Sequence, residues 1–193
     1  LLPYEYLQGK PMALIESQQI PLDTEAKPFS LRNVDGETIS LESFQSCAGL
    51  VILFTCNHCP YAIAIEERFI NLANEYLDKG FGFAAIMSND VDRYPKDHPD
   101  RMLERAQEMN YPFPYLYDEK QETAKSYGAV CTPDFFVFDG TMNLAYRGRL
   151  DNNWKHPDQV THQDLKLALE AILDGESPSP DQHPSMGCSI KWK

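Results

Sequence analysis

Val51-Ile52-Leu53-Phe54-Thr55-Cys56-Asn57-His58-Cys59-Pro60 runs from an unbroken apolar stretch directly into two cysteines three positions apart, followed by a proline. The apolar run, residues 50–54, is too short for a helix and suits a strand buried on both faces. Pro60 fits the first turn of a helix. Beyond it Ile65, Phe69, Leu72, Ala73, Tyr76 and Leu77 recur at spacings of three and four until Gly80 breaks the pattern, which predicts a helix over 60–79. Residues 81–87 return to strand character. The strand–helix–strand unit therefore crosses over right-handedly and makes its two strands parallel. The fold class expected is α/β, with the cysteine pair at a strand-to-helix junction.

Working outward, residues 29–41 alternate apolar and polar around Asp35-Gly36, a dipeptide that tolerates positive φ in a tight turn, and predict an N-terminal β-hairpin. Residues 100–109 predict a helix with Met102, Leu103 and Ala106 facing inward. In 111–117 two prolines forbid a helix and leave an extended segment carrying Tyr111, Phe113, Tyr115 and Tyr117, a pattern that core packing explains best. A short helix over 119–127 closes at Gly128. Residues 131–140 form a strand and turn, 141–149 its antiparallel partner, and 163–173 an amphipathic helix. Residues 16–28 read as an arm, and 176–193, rich in Pro and Ser at its start, as a flexible tail carrying Cys188. The organisation expected is an arm over 1–28, one domain over 29–175, and the tail.

A chain of 193 residues buries enough surface for one domain without covalent staples. Its 17 basic and 29 acidic residues give a net charge of −12, which disfavours nucleic acid and anionic membrane surfaces. Apolar runs of about five residues are far below the roughly 20 of a bilayer-spanning helix. The five cysteines, Cys47, Cys56, Cys59, Cys131 and Cys188, are too few and too scattered for a disulfide framework. Residues 1–10 lack the layout of an export signal, so a cytoplasmic location is the expectation. Met12-Ala13 would serve as a start, and residues 1–11 are set aside as an extension or vector remnant.

Two thiols at this spacing can close a reversible disulfide. At a helix N-terminus free N–H groups and the dipole favour a thiolate, and His58 between the sulfurs would add to that, so Cys56 is expected to be exposed, ionised and attacking. Cys59, one turn inside, is expected to resolve the mixed disulfide. Half a zinc site is the competing reading, but no second CxxC or HxxxH completes four ligands, and no metal site is assigned. Two thiolates also suit Cu(I), which keeps a metal-handling protein as an alternative of another class. A redox-inert interaction module is a further one.

The segments 51–60 and Gly128-Ala-Val-Cys-Thr-Pro-Asp-Phe-Phe-Val-Phe-Asp139 resemble the thioredoxin superfamily. The layout around them is similar to its redoxin branch, the alkyl hydroperoxide reductase/thiol-specific antioxidant proteins and their peroxiredoxin-like relatives, over about residues 29–193. The resemblance implies a thioredoxin-like fold: a central mixed sheet flanked by helices, with the hairpin and a helical insertion between 88 and 118 as additions. It implies Cys56 and Cys59 as the active pair and Thr132-Pro133 as the loop with a cis proline. There Thr132 would pair with an extended substrate through its backbone. Thr55, directly before the first thiol where thioredoxins have tryptophan, and His58, between the two, are the residues expected to modulate the pair.

The chain departs from thioredoxins in having Asn57-His58 between its cysteines. It departs from peroxiredoxins in having Leu53, not threonine, three residues before Cys56. Arg147 and Arg149, on the strand after the proline loop, are auxiliary candidates for polarising a peroxide. Cys131 and Cys188 are auxiliary thiols, Cys188 reaching back from a mobile tail. The function expected is thiol:disulfide exchange, with peroxide reduction through Cys56 as the alternative. No cofactor is required. Partners would be a disulfide-containing protein or small molecule and an external thiol reductant, and an oligomer is compatible with the sequence.

Overall fold

The computed structural model describes residues 14–193; the reading of residues 1–11 as an extension lies outside them. A seven-stranded mixed sheet forms the centre, in the spatial order β3-β2-β6-β5-β4-β8-β9. Its strands are β2 Ser30–Asn33, β3 Thr38–Ser40, β4 Gly49–Phe54, β5 Gly82–Met87, β6 Tyr115–Tyr117, β8 Asp134–Asp139 and β9 Leu144–Gly148. The apolar run of residues 50–54 lies in β4, all six residues of which are buried. It lies parallel to β5 and antiparallel to β8. Alternate side chains along a strand point to opposite faces. Val51 and Leu53 therefore pack with α1 (Pro60–Leu77) and α4 (Asp164–Leu173), whereas Leu50, Ile52 and Phe54 join Ala124 and Tyr127 of α3 (Glu122–Tyr127).

The hairpin forms as expected, with Gly36 at φ 94 in its turn, and β2 extends the sheet by pairing with β6. The insertion contributes a short 3-10 turn over Pro95–Asp97 and helix α2, Pro99–Glu108, with Met102 fully buried. Phe113 and Tyr115 are core residues. No helix among the described residues is long and apolar enough to cross a membrane.

Two expectations are corrected. The end of the chain is not a free tail: β10, Met186–Ser189, lies between β1, Leu14–Glu16, and β7, Cys131–Thr132, in a second, three-stranded sheet. Nor is the segment before the hairpin merely an arm, since β1 pairs Leu14 with Cys188 and Ile15 with Gly187. Four residues of β10 carry too little pattern to be seen by periodicity. What holds them is close approach: a Cβ on Gly187 would stand 2.0 Å from the Thr132 carbonyl oxygen, so only glycine lets β10 lie against β7.

Candidate active site

Cys59 is the N-cap of α1 and Pro60 its first helical residue, while Cys56 lies in the preceding turn. The Thr132-Pro133 peptide bond is cis. Thr132 meets both thiols: its hydroxyl is 3.6 Å from Cys56 Sγ, and its carbonyl oxygen accepts from Cys59 Sγ at 3.1 Å. Cys188, opposite Thr132 in the β10–β7 register, brings its Sγ to 2.8 Å from that of Cys59. Four residues from three distant parts of the sequence thus converge. Cys131 is buried alongside, its Sγ 3.9 Å from the Pro133 carbonyl oxygen, and Cys47 is only partly buried.

The ionisation pattern reverses the one expected. Cys56 is not exposed: it is 5% accessible, and Cys59 and Cys188 are 0% and 1%. Burial, the neighbouring Cys59 sulfur and the negative charge of Asp97 push the Cys56 thiol up, against a smaller opposing effect from Thr132. Burial also opposes ionisation of Cys59. There, however, its hydrogen bonds with Cys188, Cys56 and Thr132, together with the Ala62 amide in the first turn of α1, outweigh it and hold the thiol below its ordinary range. The bond to Cys59 and then burial raise Cys188. The helix terminus serves the residue that caps it, so Cys59 is the thiol of the cluster most readily ionised.

Asp97, which the sequence did not single out, organises the other side of Cys56. Fully buried, it accepts from the Asn57 backbone N–H at 2.9 Å and the Asn89 side-chain amide at 2.9 Å, and its other contact is with His58 Nδ1 at 2.7 Å. His58 stacks on Tyr94 with ring centroids 5.1 Å apart. Tyr115 donates to the Asn57 side chain at 3.0 Å. Cys56, His58 and Asp97 place one ligand-type atom each within 4.8 Å of one another. The Asp97 oxygens are already engaged by Asn57, Asn89 and His58, however, and Cys56 shares no hydrogen bond with His58 or Asp97. His58 is thus a partner of Asp97, and Thr55 is a buried residue whose N–H donates to Ile86 in the sheet.

Three more expectations change. Arg147 is not an exposed edge cation: it is buried, donates to Asp134 at 3.0 Å and to the Gly128 carbonyl at 2.8 Å, and lies over the Phe136 ring. It neutralises a buried carboxylate and is committed to that task. Arg149 pairs with Asp164 at 3.2 Å and lines a cavity of about 280 Å³ together with Ile65, Pro133, Phe135, Trp154 and Met186. The backbone of Thr132 is not open to a substrate strand, because β10 already pairs with it.

The AhpC/TSA family model matches residues 22–147. A crystal structure of an uncharacterized conserved protein from Geobacillus kaustophilus is 46% identical, with a TM-score of 0.90 over 96% of this chain and 98% of that one. A hypothetical protein from Sinorhizobium meliloti is 37% identical, with a TM-score of 0.89 over 92% and 98%. A thiol:disulfide interchange protein of the thioredoxin family from Chlorobium tepidum shares the fold at 18% identity, with a TM-score of 0.56 over 67% of this chain and 87% of that one. No curated protein matches the chain.

Proposed function

The chain belongs to the AhpC/TSA family, and on that premise we propose that it is a thiol:disulfide oxidoreductase in which Cys56 attacks and Cys59 resolves. The observation that supports this reading is the convergence of Cys56, Cys59 and Thr132 beside a cis proline. Cys56 is the attacking sulfur because it retains some accessibility and Cys59 has none. Cys56 gives up its proton to solvent as its sulfur attacks one sulfur of a substrate disulfide, and the departing substrate thiolate takes a proton from solvent. The Cys59 sulfur, as thiolate, then attacks that of Cys56; the second substrate sulfur leaves as a thiolate that solvent protonates, and a Cys56–Cys59 disulfide remains. An external dithiol returns the two electrons. The apolar cavity beside Pro133 suits a hydrophobic side chain of the substrate next to its disulfide.

The test compares insulin reduction by dithiothreitol and consumption of hydrogen peroxide for wild type, Cys56→Ser and Cys59→Ser. The reading expects catalysed insulin reduction that both substitutions abolish. Peroxide turnover lost only in Cys56→Ser, with no insulin reduction by the wild type, would replace it with a peroxidase. Stoichiometric copper after anaerobic purification, again with no insulin reduction, would replace it with a metal-handling role.

A further inference from the structure

Cys188 has no place in a two-cysteine cycle, yet every contact around it holds its sulfur against Cys59. The separation of 2.8 Å is shorter than the roughly 3.5 Å of ordinary heavy-atom packing and longer than the roughly 2.05 Å of a disulfide. The strand that delivers it is fixed on both edges, with Leu14 opposite Cys188 on one side and Thr132 on the other. Gly187 removes the one side chain that would hold β10 away from Thr132. Beyond the strand, the Lys191 N–H donates to Asn89 at 2.8 Å and the Lys193 N–H to Gln121 at 3.0 Å. Asn89 in turn binds Asp97, beside Cys56. Cys131, in the same small sheet, is turned toward the Pro133 carbonyl, so the placement of Cys188 is not a general feature of buried cysteines here.

We propose that Cys188 is a third redox thiol, which takes the disulfide over from Cys56 by exchange at Cys59. The step follows, and rests on, the cycle proposed above. When the Cys56–Cys59 disulfide has formed, Cys188 loses its proton and its sulfur attacks that of Cys59. The Cys59–Cys188 bond forms as the Cys56–Cys59 bond breaks, and Cys56 leaves as the thiolate that takes up the proton. No electron enters or leaves: the two-electron oxidation moves one sulfur inward. The oxidised protein then carries its disulfide between two fully buried residues and a free Cys56 at the more accessible end. Reduction by an external thiol runs the exchange backwards, since only Cys56 can be reached.

The test needs no catalytic activity. Full-length protein is oxidised with oxidised glutathione, alkylated with iodoacetamide, digested with trypsin without reduction and mapped by mass. Cys47, Cys56 and Cys59 fall in the fragment 33–68, where fragment-ion spectra tell them apart, and Cys188 falls in 167–191. Expected is a cross-link between these fragments in the wild type, absent in Cys59→Ser and in Cys56→Ser, which lacks the thiol through which oxidant enters, with Cys56 alkylated in the oxidised wild type. A second reading is the equilibrium with glutathione. Cys188→Ser removes the inner disulfide and makes the oxidised protein roughly tenfold easier to reduce, about 30 mV for a two-electron couple. An oxidised wild type whose Cys188 is alkylated, a cross-link that survives Cys59→Ser, or an equilibrium unmoved by Cys188→Ser each overturns the proposal. A cross-link in a protein that does not reduce insulin would leave the inner pair standing and refute the oxidoreductase reading alone.

Discussion

The charge on one buried carboxylate adds to burial in holding the Cys56 thiol up. Asp97 lies close enough to oppose its ionisation, in addition to the effects of burial and of the Cys59 sulfur. Because the Cys56 pKa is raised, its thiolate is scarce at neutral pH and accumulates only as the solution becomes strongly alkaline. Asp97→Asn removes the charge while an amide oxygen remains to accept a hydrogen bond. It should shift the pH profile of Cys56 alkylation to lower pH and speed labelling several-fold at pH 8. A profile that does not move would mean that Asp97 only positions Asn57 and His58. None of this was legible locally. Asp97 sits about forty residues from Cys56, among Asp, Pro and His in a stretch whose composition reads as a solvated loop. Its burial is a tertiary fact. The two cysteines were legible because chemistry constrains their spacing, but which of them ionises more readily depends on which residue caps α1, a distinction of a single turn.

At the level of elements, β10 is the part whose loss changes most. Ala at position 187 would bring its Cβ into the Thr132 carbonyl, so β10 must retreat from β7 and take Cys188 from Cys59. Overpacking of this kind costs about 1–3 kcal/mol. Gly187→Ala should therefore lower the denaturant midpoint and raise the alkylation rate of Cys188 in the reduced protein; unchanged labelling would show that β10 does not depend on this contact. The hairpin, β4, α1 and β5 could be read from alternation, apolar runs and helical periodicity, signals that extend over several residues. β1 and β10 have three and four residues. They are specified by pairing with each other and with β7, which no single stretch of sequence displays, and the Pro- and Ser-rich approach to β10 imitates a free tail.

For the molecule as a whole, the Asp134–Arg147 pair beneath the central sheet links stability to pH. Burial raises the Asp134 carboxyl to about 7, more than Arg147 lowers it. The folded chain thus keeps a proton that the unfolded chain, with an ordinary carboxyl near 3.8, releases earlier. Between these values the folded state binds more protons, so this group's contribution is complete below about pH 4 and declines as pH rises through about 7. Asp134→Asn should flatten that part of the stability–pH curve measured by urea unfolding, and a curve parallel to that of the wild type would contradict the assignment. Arg147→Met should destabilise by about 1–3 kcal/mol, because the buried Asp134 side chain and the Gly128 carbonyl lose their donor. The sequence showed Arg147 and Arg149 as equivalent cations on one strand. Only the packed structure separates the first, enclosed against Asp134 and Phe136, from the second, which reaches the cavity beside Pro133.

The order of attack is tested most directly by trapping. Cys59→Ser and Cys56→Ser are each incubated with oxidised glutathione and their intact masses recorded without reduction. The account predicts that Cys59→Ser accumulates one glutathione on Cys56, because nothing is left to resolve it, and that Cys56→Ser accumulates none on Cys59. Glutathione held on Cys59 in Cys56→Ser, with Cys59→Ser unmodified, would contradict it.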